Sequence, residues 1–458
     1  MLRCLPALFA FLIFASTEER TRTTRDVLDV PKDELTILLM GDTQYHYKCE
    51  PANIACKRSS KRCRESYGLD YYLRAGPLSN ETVRAGQKEC IKIESRYANR
   101  VQRQGLDRLV ARMRYPPSAL IINGDLTDFG HIEQHKEFQN GWMTSFPVPI
   151  FAGLGNHDYE NNINDCAFNF CAHTMLTWFT NYGKNMSLDM DYRRHVKSAF
   201  DIAYDGSFAY STRICSVTGL NCAQVIQLNN AVDYETTFSS FLVDWKVNSA
   251  MDFLKTELKL LRDVDIPVLI NMHQCEGTRL EKLRELISEW IYETRNVGHR
   301  KKIAAFYAHL HSMHEVKTMC LHGVAVPFVY VGSVPNNRFS MLRISRNGSS
   351  LAGFAARDAF DVGEESSIQV LGEINDLWGD CPPFSHSFYP FVDDIKRQAK
   401  IHLKTTSFAT IQGMHGFGRD RLSPKSKPAY ASLLSPSPTT SSTSKIRRVL
   451  FEELIHLG

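Results

Sequence analysis

The chain has 458 residues, enough for one large α/β domain with extensions. Its hydrophobic content of 43% and charged content of 23% are ordinary for a globular protein. The formal net charge of +4 is small for this length, which argues against the dense basic face that specific nucleic-acid binding requires.

The N-terminus, residues 1–17, is predicted to be a secretory signal peptide. A basic start, Met1-Leu2-Arg3, precedes an apolar run from Leu5 to Ala15 that is too short to span a bilayer as an ordinary helix. The alternative is a short buried helix. No other stretch is apolar enough for a transmembrane helix, so we expect a protein that is secreted or lies in the secretory-pathway lumen. Three Asn-x-Ser/Thr sequences would then be glycosylation acceptors: Asn80, Asn185 and Asn347.

The 12 cysteines agree with export, because neighbouring cysteines form disulfides in an oxidising compartment. Three groups are visible: Cys49, Cys56, Cys63 and Cys90; Cys166 and Cys171; and Cys215 and Cys222. Zinc is the alternative for the first group, although its spacing lacks the close cysteine pairs of most zinc sites. Because Cys4 would leave with the signal peptide, an odd number remains. Cys275 is our candidate for a buried free thiol.

Five short apolar runs are predicted to be buried strands, and each one ends in Asp, Asn, Gln or His. In chain order the runs are 35–40, 119–123, 148–154, 267–272 and 303–308. The polar residues that follow them are Asp42 and Gln44; Asp125; Asn156, His157 and Asp158; His273; and His309 and His311. Open α/β sheets build their ligand sites at the carboxyl ends of strands. The set therefore predicts one shared site.

The rest of the chain supplies further elements and two insertions. The predicted helices are 96–114, 241–261 and 281–294, and the further predicted strands are 207–213, 223–228, 316–319, 324–331 and 338–344. The insertions cover about 45–95 and 160–200. The second is rich in aromatic residues, which either form a small separate core or wall the pocket.

Three regions follow from these patterns. The catalytic domain is predicted to span 34–355, and a segment appended to it spans 356–417, where Cys381 is expected to tie the chain down. Residues 418–458 are rich in Ser, Thr, Pro and Lys, a composition that cannot bury a core, and we expect a disordered tail.

Taken in order, the motifs resemble the calcineurin-like metallophosphoesterase superfamily. The matching segments are Gly41-Asp42-Thr43-Gln44, Gly124-Asp125-Leu126-Thr127-Asp128, Gly155-Asn156-His157-Asp158, His273 and His309-Leu310-His311. Gln44 stands where His is commoner, and Ala308 replaces the Gly of the last motif. The purple acid phosphatase branch would need Tyr at Asp128, which argues against that branch. The resemblance implies a four-layer α/β/β/α sandwich of two mixed sheets flanked by helices.

The resemblance also assigns roles to the residues. It implies that Asp125 bridges two metal ions. Asp42, Gln44 and His311 would bind the first ion, and Asn156, His273 and His309 the second. His157 would face the substrate, and Asp158 would accept a hydrogen bond from its other ring nitrogen. Asp128 would support the loop or a ligand histidine, and His46 is an alternative to Gln44.

Such a site suits the hydrolysis of phosphoric esters, in which a metal-bridging hydroxide attacks phosphorus in line. Imidazole with carboxylate favours Mn, Fe or Zn, and the amide of Gln44 favours Mn or Fe at the first position. The alternatives are a catalytically silent binding protein on the same fold and a lipid phosphodiesterase that acts at a membrane surface. The residues do not identify the phosphate-ester substrate, because one fold serves many substrates.

Overall fold

Two mixed β-sheets and their flanking helices make up the part of the chain that the computed structural model describes, which is residues 28–48, 53, 61–66, 81–198, 201–379, 381 and 385–388. Its strands are β1 (Leu35–Met40), β2 (Ala119–Asn123), β3 (Ile150–Gly153), β4 (Asp189–Ser198), β5 (Asp201–Cys215), β6 (Cys222–Gln227), β7 (Thr236–Ser240), β8 (Val243–Val247), β9 (Val268–Asn271), β10 (Ile303–Tyr307), β11 (Glu315–Leu321), β12 (Val324–Tyr330), β13 (Arg338–Ser345), β14 (Gly348–Ala356), β15 (Ile368–Asn375) and β16 (Ser385–Ser387). Its α-helices are α1 (Glu81–Arg112), α2 (Ile132–Phe138), α3 (Phe170–Asn185), α4 (Met251–Leu260), α5 (Thr278–Glu293) and α6 (Ala359–Val362).

The first sheet has the strand order β15-β14-β13-β1-β2-β3, with β1, β2 and β3 parallel and β13 antiparallel to β1. The second has the order β16-β11-β12-β10-β9-β6-β5-β8-β7, with β4 paired to β5. Its central strands β6, β9, β10 and β12 are parallel. The five predicted strands are present, and they divide between the sheets: β1 to β3 lie in the first, and β9 and β10 in the second.

The two sheets face each other across a shared apolar layer. Leu35, Ile37 and Leu39 from one side of β1 lie in one buried cluster with Leu269 and Phe306 from the second sheet. Because the other faces of these strands are also covered, β1, β2, β9 and β10 are buried along their whole length. That double burial explains why their sequences are continuous apolar runs and do not alternate.

Helices cover the outer faces and complete four layers. Leu106 and Leu109 of α1 pack in the same cluster as Leu38 and Met40, which point away from the second sheet. On the opposite side, a separate cluster joins α4 and α5 to the outer face of β9 and β10; it includes Leu254, Leu283, Ile287, Ile270 and Ala305. The predicted α/β/β/α sandwich is confirmed.

One predicted helix, 241–261, is wrong in its first half. Val243–Val247 forms strand β8, and the helix begins only at Met251. Trp245 is buried and its ring stacks on Tyr204 at 4.5 Å between centroids. The strand pairs with both β5 and β7, so tertiary pairing overrides the apolar residues at helical spacing. The helix predicted at 96–114 also begins earlier, at Glu81.

The aromatic insertion joins the main core and does not form a separate one. Phe179 and Tyr182 of α3 belong to the same buried cluster as the first sheet. The Tyr182 hydroxyl donates to Ile150 O at 2.9 Å, and the Tyr210 hydroxyl donates to Ala152 O at 2.9 Å. Both bonds satisfy the outer edge of β3, beside which the described part of the chain places no further strand.

Four disulfides lie among the described residues: Cys63–Cys90, Cys166–Cys171, Cys215–Cys222 and Cys320–Cys381. The second and third are the expected local pairs. The first rules out a zinc site that uses Cys63 and Cys90 as thiolates. Cys275 is free and buried, as predicted. Within the segment expected to be appended, β15 pairs with β14, so this stretch extends the first sheet.

Several predictions fall outside the described residues: the signal peptide 1–17, Cys49, Cys56, Asn80 and the tail 418–458. Of the other two glycosylation acceptors, both Asn185 and Asn347 are exposed. Searched for membrane spans, the described helices include none with the length and apolarity needed to cross a bilayer.

Candidate metal centre

The five strand ends meet at the contact between the two sheets. Asn123, the last residue of β2, ties the sheets together: its Nδ2 donates to Phe306 O at 3.0 Å, and its carbonyl accepts from His273 Nδ1 at 2.8 Å. The approach is close, because a Cβ atom on Gly41 would lie 2.3 Å from Ala308 Cβ. The site residues from both sheets are therefore held within reach of one another.

Seven predicted residues converge here, and their oxygen and nitrogen atoms form two groups. Asp125, His273 and His309 offer ligand atoms that all lie within 4.8 Å of one another. Asp42, Asp125 and His311 form a second group under the same limit. The two groups share Asp125, and Asn156 and Gln44 adjoin them.

His273 is the centre of the first group. Its Nε2 lies 3.1 Å from Asp125 Oδ2, 3.0 Å from Asn156 Oδ1 and 3.3 Å from His309 Nδ1. Because Nδ1 donates its proton to the carbonyl of Asn123, Nε2 is the nitrogen left to bind a cation. Asn123 thus sets the orientation of His273. The sequence analysis missed this role, although a polar residue ending a buried apolar strand is a usable signal.

Buried oxygens without donors mark where positive charge fits. Both carboxylate oxygens of Asp42 and Oε1 of Gln44 have no hydrogen-bond donor among the residues that the structure describes. An unsatisfied buried carboxylate is costly, so such oxygens call for a cation. His311 Nε2 lies 3.5 Å from Asp42 Oδ1, on the same side. The donor set of carboxylate, amide and imidazole fits a metal ion.

The loops that carry these residues have unusual backbone conformations. Asp42, Gln44, Asp125 and His309 all have positive φ, at 56°, 34°, 50° and 68°. Such values are uncommon for residues with a side chain, and they concentrate at functional sites. Gly155 is required beside them, because a Cβ atom there would lie 2.2 Å from Asp125 Oδ1.

The charges of the site move the pKa values of its histidines in opposite directions. Burial lowers the pKa of His273, but the Asp125 carboxylate outweighs it and raises the pKa to about 9. A proton on His273 Nε2 would thus take the place of a metal ion, and metal binding would release that proton. Burial and the neighbouring His273 lower the pKa of His309 to about 4, so its ring is neutral at neutral pH.

The partner of His157 differs from the prediction. Its Nδ1 lies 2.9 Å from Asp128 O and 3.2 Å from Asp128 Oδ1, so Asp128 orients the ring. The predicted hydrogen bond from the His157 ring to Asp158 is wrong. The Asp158 carboxylate turns back into the loop after β2 and accepts from the backbone N–H groups of Leu126, Thr127 and Gly155. Asp158 therefore holds together the two loops that carry Asp125 and Asn156.

His157 itself is half-buried at the edge of the two groups. Burial lowers its pKa, but the hydrogen bond to Asp128 and the charge of Asp125 outweigh that effect and raise the pKa to about 9. Two aromatic rings flank it edge-on, Phe129 at 6.2 Å and Tyr47 at 6.5 Å between centroids. With Nδ1 engaged by Asp128, the other ring nitrogen, Nε2, is available to a bound molecule.

Gln44 and His46, the two alternatives for the first metal ion, point in different directions. Gln44 Nε2 lies 3.4 Å from Asp128 Oδ1, and its Oε1 is the atom without a donor. His46 instead lies against Glu137, with Nε2 3.0 Å from Oε1. His46 therefore joins a network with Glu137 and Arg96 and is not part of the Asp42 group.

Comparison with solved structures finds distant similarity. A dimetal phosphatase from Danio rerio aligns at 10% identity and a TM-score of 0.37, covering 78% of this chain and 99% of that one. A NAD nucleotidase from Haemophilus influenzae aligns at 12% identity and a TM-score of 0.36, covering 82% of this chain and 56% of that one. A search of curated proteins found no match.

The family comparison is decisive. The family described as calcineurin-like phosphoesterase matches residues 35–313, which runs from the first residue of β1 to just beyond His311 and covers more than half of the chain. This span contains all nine predicted site residues. The chain belongs to the calcineurin-like phosphoesterase family.

Proposed function

We propose that the protein is a phosphoesterase that holds two metal ions, with Asp125 shared between them. Membership of the family supports metal-dependent phosphoester hydrolysis in general. The single observation that carries the finer proposal is that two ligand groups have Asp125 in common. Asp42, Gln44 and His311 would hold one ion; Asn156, His273 and His309 would hold the other.

When bound, the ions supply positive charge for the phosphate oxygens and an activated water, and Mn, Fe or Zn suits these donors. The chain's own residues do the rest. Asn123 and Asp128 fix the orientations of His273 and His157. His157, whose charged form the hydrogen bond to Asp128 favours, would stabilise the phosphate through Nε2 or give a proton to the leaving oxygen.

The compartment is also a proposal. Four disulfides among the described residues agree with an oxidising environment, which supports the expectation of a secreted or lumenal protein. Sequencing the N-terminus of the protein purified from the medium of a secreting host would test it. A mature N-terminus near residue 17 is the expected result; retention inside the cell with Met1 intact would contradict it.

The test of the function is Asp125→Asn, which removes the shared charge with almost no change of shape. We expect loss of bound metal and a fall in kcat/KM of at least about a hundredfold, because a metal contributes several kcal/mol to such a reaction. Elemental analysis and a panel of phosphate monoesters and diesters provide the measurements. Asp205→Asn, a surface change at an ion pair with Lys246, is the matched control.

The same experiment separates the alternatives. Wild-type hydrolysis that survives a chelator would contradict metal dependence. Wild-type protein that holds metal and phosphate but shows no single turnover would be the silent binding protein. The panel also decides between monoesters and diesters.

A further inference from the structure

Two aromatic rings border the metal centre, and together we call them the aromatic rim: Tyr47, from the loop after β1, and Phe129, from the loop after β2. Their centroids lie 6.5 Å and 6.2 Å from that of His157, and both rings stand nearly perpendicular to it, at 80° and 72°. The Tyr47 ring also lies 4.7 Å from the ring of His311. The rim therefore adjoins the ring nitrogen that His157 offers to a bound molecule.

The backbone of Phe129 is held in place while its ring stays open to solvent. The Phe129 N–H donates to Gln134 Oε1 at 2.9 Å, and the N–H of the next residue, Gly130, donates to Thr127 Oγ1 at 2.9 Å. A Cβ atom on Gly130 would lie 2.8 Å from Asp158 O, so the loop is closely packed there. Phe129 is nonetheless 37% exposed, whereas the other residues from 124 to 130 are buried or half-buried. A side chain that is already fixed loses little conformational entropy when it binds a ligand.

The titratable side chains on either side of Phe129 in the chain already have partners. The pairs are Asp128 with His157, His131 with Asp165, and Glu133 with Lys92. At the other ring, Lys48 follows Tyr47 and is exposed. Its positive charge would attract the phosphate of any ester and would not distinguish between the alcohols joined to that phosphate. What the described part of the rim offers to the alcohol is therefore aromatic surface.

We propose that the aromatic rim binds the alcohol part of the phosphate ester and selects esters whose alcohol carries an aromatic ring close to the ester oxygen. This proposal rests on the proposed function, because it takes the bound molecule to be a phosphate ester. An alcohol oxygen next to His157 Nε2 brings the group joined to it within reach of both rings. Aromatic rings pack against each other in edge-to-face or offset arrangements that aliphatic groups of equal area do not reproduce. A sugar or glycerol group would find no hydrogen-bond partner in the Phe129 ring.

The experiment measures binding without turnover. The full chain, loaded with Mn²⁺, is titrated in a calorimeter with phenylphosphonate, cyclohexylphosphonate and methylphosphonate, whose P–C bond resists hydrolysis. Phenylphosphonate should bind at least about tenfold more tightly than methylphosphonate, because its ring is removed from water. It should bind about two- to tenfold more tightly than cyclohexylphosphonate, the advantage that aromatic pairs have beyond their buried area.

Variants of Phe129 test the source of this preference. Phe129→Ser should reduce the preference for phenylphosphonate over methylphosphonate at least about threefold, and Phe129→Tyr should keep it, because the ring remains. Phe360→Ser is the matched control and should behave as wild type, because Phe360 is 94% exposed on α6 and is not part of the rim. Tyr47 is left unchanged, since its ring also contacts His311. Elemental analysis should find the same metal content in all four proteins.

Hydrolysis provides a second measurement on the same proteins. The ratio of kcat/KM for phenyl phosphate to that for ethyl phosphate should fall in Phe129→Ser by a factor similar to the fall in the binding preference. The difference in reactivity between the two esters is the same for every protein, so it cancels when the ratios are compared.

Four results would overturn the proposal: equal binding of phenylphosphonate and methylphosphonate, equal binding of phenylphosphonate and cyclohexylphosphonate, a wild-type preference in Phe129→Ser, or loss of metal from that variant. The last would show that the ring supports the metal centre and does not bind the ester. A preference for phenylphosphonate without hydrolysis of either ester would refute the proposed function and leave the recognition of the ring standing. Hydrolysis without the preference would refute only the role of the rim.

Discussion

At the scale of residues, the site depends on which acidic neighbour each histidine contacts. Asp128 and Asp158 each have a carboxylate that could accept a hydrogen bond from His157. Of the two, only Asp128 contacts the ring. Asp158 is fully buried and bonded to three backbone N–H groups. The Asp128 carboxylate therefore stabilises the charged form of His157, and the Asp158 carboxylate fixes the conformation of the loops.

Asp128→Asn should lower the pKa of His157 from about 9, because the amide no longer stabilises the charged ring. Because His157 is protonated at pH values below its pKa, the basic limb of the pH profile of kcat should move to lower pH. Metal content should be unchanged. The pH dependence of kcat and elemental analysis are the measurements, and an unshifted basic limb would contradict the role given to Asp128.

A variant of His157 itself tests the proton transfer. His157→Gln should reduce kcat by roughly 10²–10⁴ for an alkyl phosphate, the range typical of general acid catalysis. The loss should be smaller for nitrophenyl phosphate, whose leaving oxygen needs little protonation. Equal losses on both substrates would indicate that His157 stabilises the phosphate and does not protonate the leaving group. Phe360→Ser again serves as the exposed control.

At the scale of elements, the close contact between the ends of β1 and β10 determines how the two sheets meet. Gly41 follows β1 and Ala308 follows β10, and the residue pair leaves no room for a further methyl group. Ligands from the two sheets flank this contact, Asp42 on one side and His309 on the other. A change of one methyl group here should therefore alter both stability and metal binding.

Gly41→Ala should destabilise the protein by about 1–3 kcal/mol, the usual cost of overpacking. Ala308→Gly removes the opposing methyl group, so the double variant should recover most of that loss. Denaturant unfolding of the four proteins of this cycle measures the coupling. Gly298→Ala is the control, since no atom of the described residues lies within 4 Å of the added Cβ atom. Additive losses in the double variant would show that the contact does not limit the approach.

At the scale of the whole molecule, three histidines outside the metal centre are fully or partly buried as neutral groups. Burial lowers the pKa of His135 and His173 to about 4 and that of His314 to about 3. Each folded-state pKa is below the unfolded value of roughly 6.5, so the unfolded chain binds more protons between these values. The free energy of unfolding therefore decreases as the pH falls.

We therefore expect these three histidines to lower the free energy of unfolding progressively as the pH falls from about 6.5 toward 3–4, by a few kcal/mol in total. His314→Gln should make the dependence shallower, because one titrating group is removed. Thermal unfolding across this pH range is the measurement. Phe360→Ser, an exposed change without a titratable group, should keep the wild-type slope, and equal slopes for all three proteins would contradict this account.

The sequence alone determined the five strands that carry the site and the polar residues that follow them. This was possible because strands covered on both faces appear as continuous apolar runs, and because the motifs that follow resemble one superfamily. It also determined the local disulfides at Cys166 and Cys215, whose partners lie only a few residues away.

Tertiary structure decided the features that depend on contacts between residues far apart in the chain. Whether 243–247 forms a helix or a strand depended on its pairing with β5 and β7, which local spacing does not encode. Which carboxylate meets His157 depended on the path of the loop after β2, and the orientation of His273 depended on Asn123 from the opposing sheet. In each case the outcome depended on a partner far away in the chain, such as Asp128 for His157 and Asn123 for His273, and only tertiary packing brings that partner into contact.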